Sequence, residues 1–380
     1  MRLTDFTITR FQFARDRVIG DSQVRVTHCH TGFLELHSSD GLTGTGFFFS
    51  LFHPLPAQAE LERVFRREAW PGLEGQHPVP LLNRIGRPRG GNIRGMAIAY
   101  EQAINQALWD LQAKAAGLPL WKLLGGRDPK VRAYASGLDF HLSDEHYTAL
   151  FAQAHAQGYR AFKIKVGHPD VAWDLHRLAL AKQATRGSGP IMVDSNEAWS
   201  PKEAIRRLKI YLRQGYDILW AEDPCLRDDF EGLREIRLAV PEVMVNSGEY
   251  LDLHGKRKLI EARAVDLLNV HGHISDTMKA GWLAAEHGIE VTLGNTPFEL
   301  GVHMAAALPE CNWIEYSFQN YAHLVEKPVE IRDGFALAPD APGHGFTMSE
   351  RARRELAVPE VRDESELPPA PSGPVRLAAA

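Results

Sequence analysis

Between about residue 130 and residue 317 the chain repeats one pattern eight times: a short apolar stretch, a polar break, then a longer segment. The short stretches read "VRAYAS", "AFKIKVG", "IMVDSN", "ILWAEDP", "VMVNSG", "DLLNVHG", "EVTLGN" and "WIEYS". The longer segments, such as "PKEAIRRLKIYLRQGY" and "DTMKAGWLAAEHG", place apolar residues at helical spacing. Parallel strands can be joined only through crossovers, so alternating strands and helices predict a parallel sheet. Eight units predict that the sheet closes into a barrel. A doubly wound open sheet is the alternative, but no GxGxxG turn follows the first strand.

The preceding part has a different texture. "MRLTDFTITRFQF" and "TGFLELHSSDGLTGTGFFF" alternate apolar and polar residues, with "SSDG" as a turn signal. "MAIAYEQAINQALWDLQAKAAG" then has helical spacing with Gly117 as a stop, and "LPLWKLLGG" reads as a short helix. The expected organisation is an α+β domain over residues 1–126, a barrel over 127–321, and a C-terminal segment over 322–380. In that last segment "VEIRDGFALAPDAPGHGF" holds two short strands, expected to return to the N-terminal domain. The end, "DESELPPAPSGPVRLAAA", is Pro-, Ala- and charge-rich and is expected to be disordered in part.

Composition removes several function classes. A net charge of −5 without a basic run argues against a nucleic-acid partner. No run of about 18 apolar residues offers a membrane span. Cys29, Cys225 and Cys311 form no CxxC pair, which fits a reducing cytoplasm. The opening residues read as a strand and not as a signal peptide.

Barrel enzymes place their chemistry where strands end. Here "IMVDSN" delivers Asp194 and, two along, Asn196; "LWAEDP" delivers Glu222 and Asp223; "VNSGEY" delivers Glu249. Any one of these carboxylates could be the N-cap of the next helix. Three on consecutive strands would repel one another at a barrel mouth unless a cation neutralised them. Hard oxygen donors suit Mg²⁺, whereas zinc would recruit His or Cys. In "FKIKV" the alternation sends Lys163 and Lys165 to one face of the strand before Asp194. An exposed face would explain two lysines, but this strand is apolar on its other side and belongs to a helix-covered sheet. Pointing inward beside a metal, they are expected to have depressed pKa values and so to be usable as bases.

This set resembles the enolase superfamily, of the mandelate racemase and muconate lactonizing enzyme type. Lys163-Ile-Lys165 is similar to the family's K-x-K, and Asp194 with Asn196 to its D-x-N. Glu222, Glu249 and Glu315 resemble its fourth-, fifth- and eighth-strand acids. The resemblance implies a modified TIM barrel, (β/α)7β, with an α+β capping domain built from the N-terminal part and the C-terminal return. It implies a Mg²⁺-chelated carboxylate substrate whose α-proton passes to a base, a pattern already described for the superfamily. Asp194, Glu222 and Glu249 would hold the metal. Lys165 would be the base, Lys163 the partner of the substrate carboxylate and Glu315 a further catalytic acid. A cytoplasmic homo-oligomer is expected as well.

On the opposite face the chain departs from mandelate racemase-like members, which pair a sixth-strand Asp with a seventh-strand His. "DLLNVHGHIS" puts His271 at the first position and "TLGNTPFELGVHMAA" puts Asn295 at the second. His271 is expected to serve as an acid or base, with His273 as the fallback and His303 as a packing residue. Specificity in the family is implied to reside in capping-domain loops, here "VIGDSQVRVTHCHTG" and "GFFFSLFHP", with "RPRGGNIRG" close behind. His28, His30, Arg89, Asn92 and Arg94 could bond a polyhydroxy acid, and His30, Arg89, Asn196 and Asn295 are the expected substrate contacts. Phe47, Phe48 and Phe49 could wall in a less polar molecule or belong to the core. Three activities are compatible with these residues: acid-sugar dehydration, racemisation or epimerisation, and a retired barrel that only binds.

Overall fold

A computed structural model describes residues 1–50, 53–82, 100–294, 300–319 and 321–367. The alternating N-terminal stretches form an antiparallel sheet of β1 (Leu3–Gly20), β2 (Arg25–Ser38) and β3 (Thr43–Ser50), in that order. Helices α1 (Gln58–Glu68), α2 (Pro78–Leu81) and α3 (Glu101–Ala115) cover one face. Close approach of α3 to β3 explains two glycines in "GLTGTGFFF". A Cβ on Gly44 would lie 2.1 Å from the Ala107 carbonyl oxygen, and one on Gly46 1.9 Å from that of Ala103. The helix also satisfies the strand: Thr45 N–H donates to Asp110 Oδ2 and Phe47 N–H to Gln106 Oε1. Phe47 and Phe48 are buried, so those two rings of the Phe run belong to the core.

After α4 (Leu120–Leu123) come the eight barrel strands: β4 (Lys130–Ser136), β5 (Phe162–Lys165), β6 (Ile191–Asp194), β7 (Ile218–Glu222), β8 (Met244–Ser247), β9 (Leu267–Val270), β10 (Glu290–Leu293) and β11 (Cys311–Tyr316). All pair in parallel, and β11 pairs with β4 through Glu315 and Tyr134, closing the barrel. The helices between them are α5 (Asp144–Ala156), α6 (Val171–Ala184), α7 (Pro201–Arg213), α8 (Phe230–Ala239), α9 (Leu253–Glu261), α10 (Ile274–Glu286) and α11 (Gly301–Ala307). Side chains of Ser143, Asp170, Ser200, Asp229 and Asp252 accept backbone N–H groups at the starts of α5 to α9. Capping is therefore done by separate residues, and Asp194, Glu222 and Glu249 are free of that task.

Strand alternation divides the barrel. Ile164, Val193, Ala221, Val245 and Leu268 pack outward with the helices. Tyr134, Met192, Trp220 and Leu267 form a second cluster. The Tyr134 and Trp220 rings meet at 5.3 Å although β4 and β7 are not neighbours, so this cluster fills the barrel interior. Lys163, Lys165, Asp194 and Glu222 follow at the C-terminal end of the same face.

The strands in "VEIRDGFAL", β12 (Glu330–Arg332) and β13 (Phe335–Leu337), do not return to the N-terminal sheet. They extend the barrel sheet, with β13 antiparallel to β4 from Lys130 to Arg132. That end of β4 lies before its pairing with β11, which begins at Ala133, so its ladder is free to take β13. The return is made further on. Ala357 bridges to Phe11, Val358 N–H donates to the Arg10 carbonyl, and Arg353 pairs with Glu35. Among the described residues no helix is long and apolar enough to cross a membrane.

Candidate active site

Lys163 and Lys165 are 2% and 4% exposed, which settles their direction: both enter the barrel. Lys163 Nζ lies 2.5 Å from Glu222 Oε1, 3.0 Å from Glu315 Oε1 and 3.2 Å from Asp194 Oδ2. Lys165 Nζ donates to Asp194 Oδ2 at 2.6 Å and to Asn196 Oδ1 at 2.7 Å. Asn196 is set by a left-handed backbone (φ 47°), and its N–H donates to Asp194 Oδ1 at 3.0 Å. Glu222 also accepts from Trp220, Asn246 and Asn269 at 3.3 Å each. From the previous strand's loop, the buried Asp139 accepts the Lys165 N–H at 3.3 Å.

Charge in this place is unbalanced. Asp194, Glu222, Glu249 and Glu315 are all buried near two ammonium groups, so full ionisation of the four would leave a surplus of two negative charges. Burial, together with Asp194, Glu315 and Glu249, raises the Glu222 carboxyl well above its ordinary value despite Lys163. Burial and Glu315 raise Glu249 to about 7. The lysines differ from the sequence expectation of depressed values. Burial does pull both down, but Glu222 and Glu315 hold Lys163, and Asp194 holds Lys165, above the usual lysine value. In a dry site, charged partners at ion-pair distance outweigh desolvation. Asp194 is lowered against burial because both lysines face it.

Among the described residues no three acidic or imidazole groups converge as a closed ligand shell; the Lys163 ammonium lies between the acids. The donors are nevertheless hard oxygens, and their surplus charge when all are ionised is that which a divalent cation would neutralise. Glu249 has no hydrogen bond or ion pair among the described residues, so one carboxylate is uncommitted.

His271 directly follows β9, half-buried, its ring edge-on to Tyr250 at 5.5 Å. His273 opens α10, and the charges acting on it are Asp276, Glu101 and Lys279, not the barrel carboxylates. His303 is fully buried in α11 with Nε2 donating to the His344 carbonyl, the packing role expected. His30 stands apart from the cluster. It is 3% exposed, and its Nε2 lies 2.9 Å from Glu364 Oε1 of the C-terminal return, which His28 also meets. The ring expected to touch substrate thus closes the cap. Arg89, Asn92, Arg94 and Asn295 lie outside the described residues.

The loop "VIGDSQVRVTHCHTG", expected from the resemblance to be a capping-domain specificity loop, does reach the barrel strand ends, together with the last residues of β1. Gln23 Nε2 donates to the Asn196 carbonyl, Gly20 N–H to the Leu138 carbonyl, and Arg17 to the Gly137 carbonyl. The individual bonds made by Gln23, Gly20 and Arg17 were not foreseen, because the sequence does not show which barrel carbonyl each one meets. Arg227 was missed too: it pairs with Asp223 at 3.1 Å and with Glu197 at 2.8 Å.

Comparisons with known proteins agree with this architecture. Residues 21–125 match the N-terminal domain of the mandelate racemase / muconate lactonizing enzyme family, and residues 146–352 match its enolase C-terminal domain-like part. The chain is 31% identical to the L-talarate/galactarate dehydratase of Salmonella typhimurium, over 89% of this chain and 85% of that one. A solved Mesorhizobium loti protein, provisionally described as a mandelate racemase, superposes with a TM-score of 0.95 at 55% identity, covering 98% of this chain and 99% of that one. The Salmonella dehydratase, solved with Mg and L-lyxarohydroxamate, superposes with a TM-score of 0.82 at 28% identity, covering 94% and 93%.

Proposed function

Because the chain belongs to the mandelate racemase and muconate lactonizing enzyme family of the enolase superfamily, we propose that it removes the α-proton of a carboxylate substrate with Mg²⁺ held by Asp194, Glu222 and Glu249. The reaction we favour is dehydration of an acid sugar. One observation supports an acid and a base on opposed faces of a bound substrate, as both dehydration and epimerisation need: β5, which ends in Lys165, and β9, which His271 follows, stand four places apart in an eight-stranded barrel.

When bound, Mg²⁺ supplies positive charge against the substrate carboxylate, which lowers the cost of removing a weakly acidic α-proton. Lys165 is the acceptor. It must first lose its own proton, and Asp194 keeps it charged as long as that carboxylate serves no other partner. With Asp194 engaged as a ligand, burial favours the neutral amine. Asn196 keeps the amine in place through its Oδ1. Lys163, between Glu222 and Glu315, stays protonated and faces the substrate carboxylate. His271 donates a proton to the departing β-hydroxyl from the other side.

Epimerisation is the second reading, favoured by the same opposed pair, with His271 returning the proton to the other face. A retired binding protein would have no use for two buried lysines among four buried carboxylates. The experiment is incubation with a panel of acid sugars in D₂O, followed by product mass. Loss of water supports dehydration, deuterium at unchanged composition supports epimerisation, and silence across the panel refutes both.

A further inference from the structure

Glu249 and Tyr250 are the two central residues of one turn. Leu251 N–H donates to the Gly248 carbonyl at 3.1 Å, and Gly248 sits at φ 115°, where a side chain would be strained. The two residues face different ways. Glu249 is 7% exposed and lies in the field of the other carboxylates. Tyr250 is 56% exposed, edge-on to His271 and 4.7 Å beneath the Arg227 guanidinium. One turn therefore presents both an uncommitted acid and the ring that abuts the sixth-strand histidine.

That turn is held from α9. Lys256 is 3% exposed, and its Nζ donates to the Gly248 carbonyl at 2.7 Å and to the Leu251 carbonyl, the first and last residues of the turn. Burying an ammonium group is costly, and a methionine would fill similar volume without that cost. What Lys256 provides that an apolar residue cannot is a bond to both ends of a short loop that is otherwise open to solvent at Tyr250.

We propose that Lys256 is a positioning residue, whose ammonium clamps residues 248 and 251 together and so fixes where Glu249 and Tyr250 stand at the barrel mouth. Its consequence for metal binding rests on the reading of Glu249 as a ligand; the clamp itself does not. The test compares wild type, Lys256→Met and Lys256→Arg. In Lys256→Met, amide hydrogen exchange at 249–251 should quicken at least tenfold while exchange in the barrel strands is unchanged. Mg²⁺ affinity by calorimetry should fall about 10- to 100-fold, the usual cost of losing a residue that orients a ligand. Lys256→Arg, which keeps a cation and donors, should restore part of both. Unchanged exchange at the turn overturns the clamp. Faster exchange with unchanged Mg²⁺ affinity overturns its role in placing Glu249. A wild type that binds no Mg²⁺ overturns the metal site instead, and exchange still decides the clamp. Should Lys256→Met fail to fold, Lys256→Gln, with one remaining amide donor, is read by the same two measurements.

Discussion

Lys165→Ala removes the amine that sits 2.6 Å from Asp194 and 2.7 Å from Asn196, so both turnover and α-proton exchange should vanish. His271→Asn should lose turnover by roughly 10²–10⁴, the usual worth of a general acid, yet keep exchange through Lys165. Loss of exchange in that variant would make the histidine the abstracting base. Glu249 carries a pH signature. Its carboxyl, raised to about 7, must be deprotonated to hold a cation, so its titration alone should strengthen calorimetric Mg²⁺ affinity by up to about tenfold per unit between pH 5 and 7. The sign for stability is the reverse. A carboxyl raised in the folded state stabilises only while protonated, so with EDTA present that contribution is lost as pH rises through about 7. Lys163, Lys165, Asp194, Glu222 and Glu249 were legible because each puts a polar group where a buried strand runs or ends. Lys256 was not: "HGKRKLIE" reads as a solvated basic face, and only the tertiary structure shows which of its cations is buried.

At the scale of elements, all eight barrel strands were legible because each is a short apolar run bounded by polar residues. The pairing of β12 and β13 was not, since period-2 alternation names a strand without naming its partner. The same limit hid Arg10. This residue is fully buried in β1, and its guanidinium donates to the carbonyls of Leu55, Val358 and Glu360 and to Gln12 Oε1. Arg10→Met should cost about 2–4 kcal/mol by leaving those acceptors unpaired. A lowered urea midpoint at unchanged slope would show it. A midpoint within error of wild type would mean that the C-terminal return is held by its other contacts.

For the whole molecule, a cation held as proposed, by ligands from β6, β7 and the turn after β8, would bind the folded barrel and not the unfolded chain. Mg²⁺ at a hundredfold excess over its Kd should then stabilise by about 2.7 kcal/mol, read as a higher Tm that EDTA reverses. A Tm indifferent to Mg²⁺ would contradict the site. The cap above that barrel is assembled from both ends of the chain, with Arg10 and Val358 lying 348 residues apart in sequence. Translation proceeds at roughly 5–20 residues per second, so β1 emerges on the order of tens of seconds before the segment that completes it. Until then the Arg10 guanidinium lacks its Val358 and Glu360 acceptors, though Gln12 and Leu55 are already made. The barrel, whose contacts are mostly between successive units, can close first. The contacts that tie residues 353–360 to β1 and β2 can then form only after the barrel strands have all been made, so the cap over the site is completed by a segment that is synthesised after it.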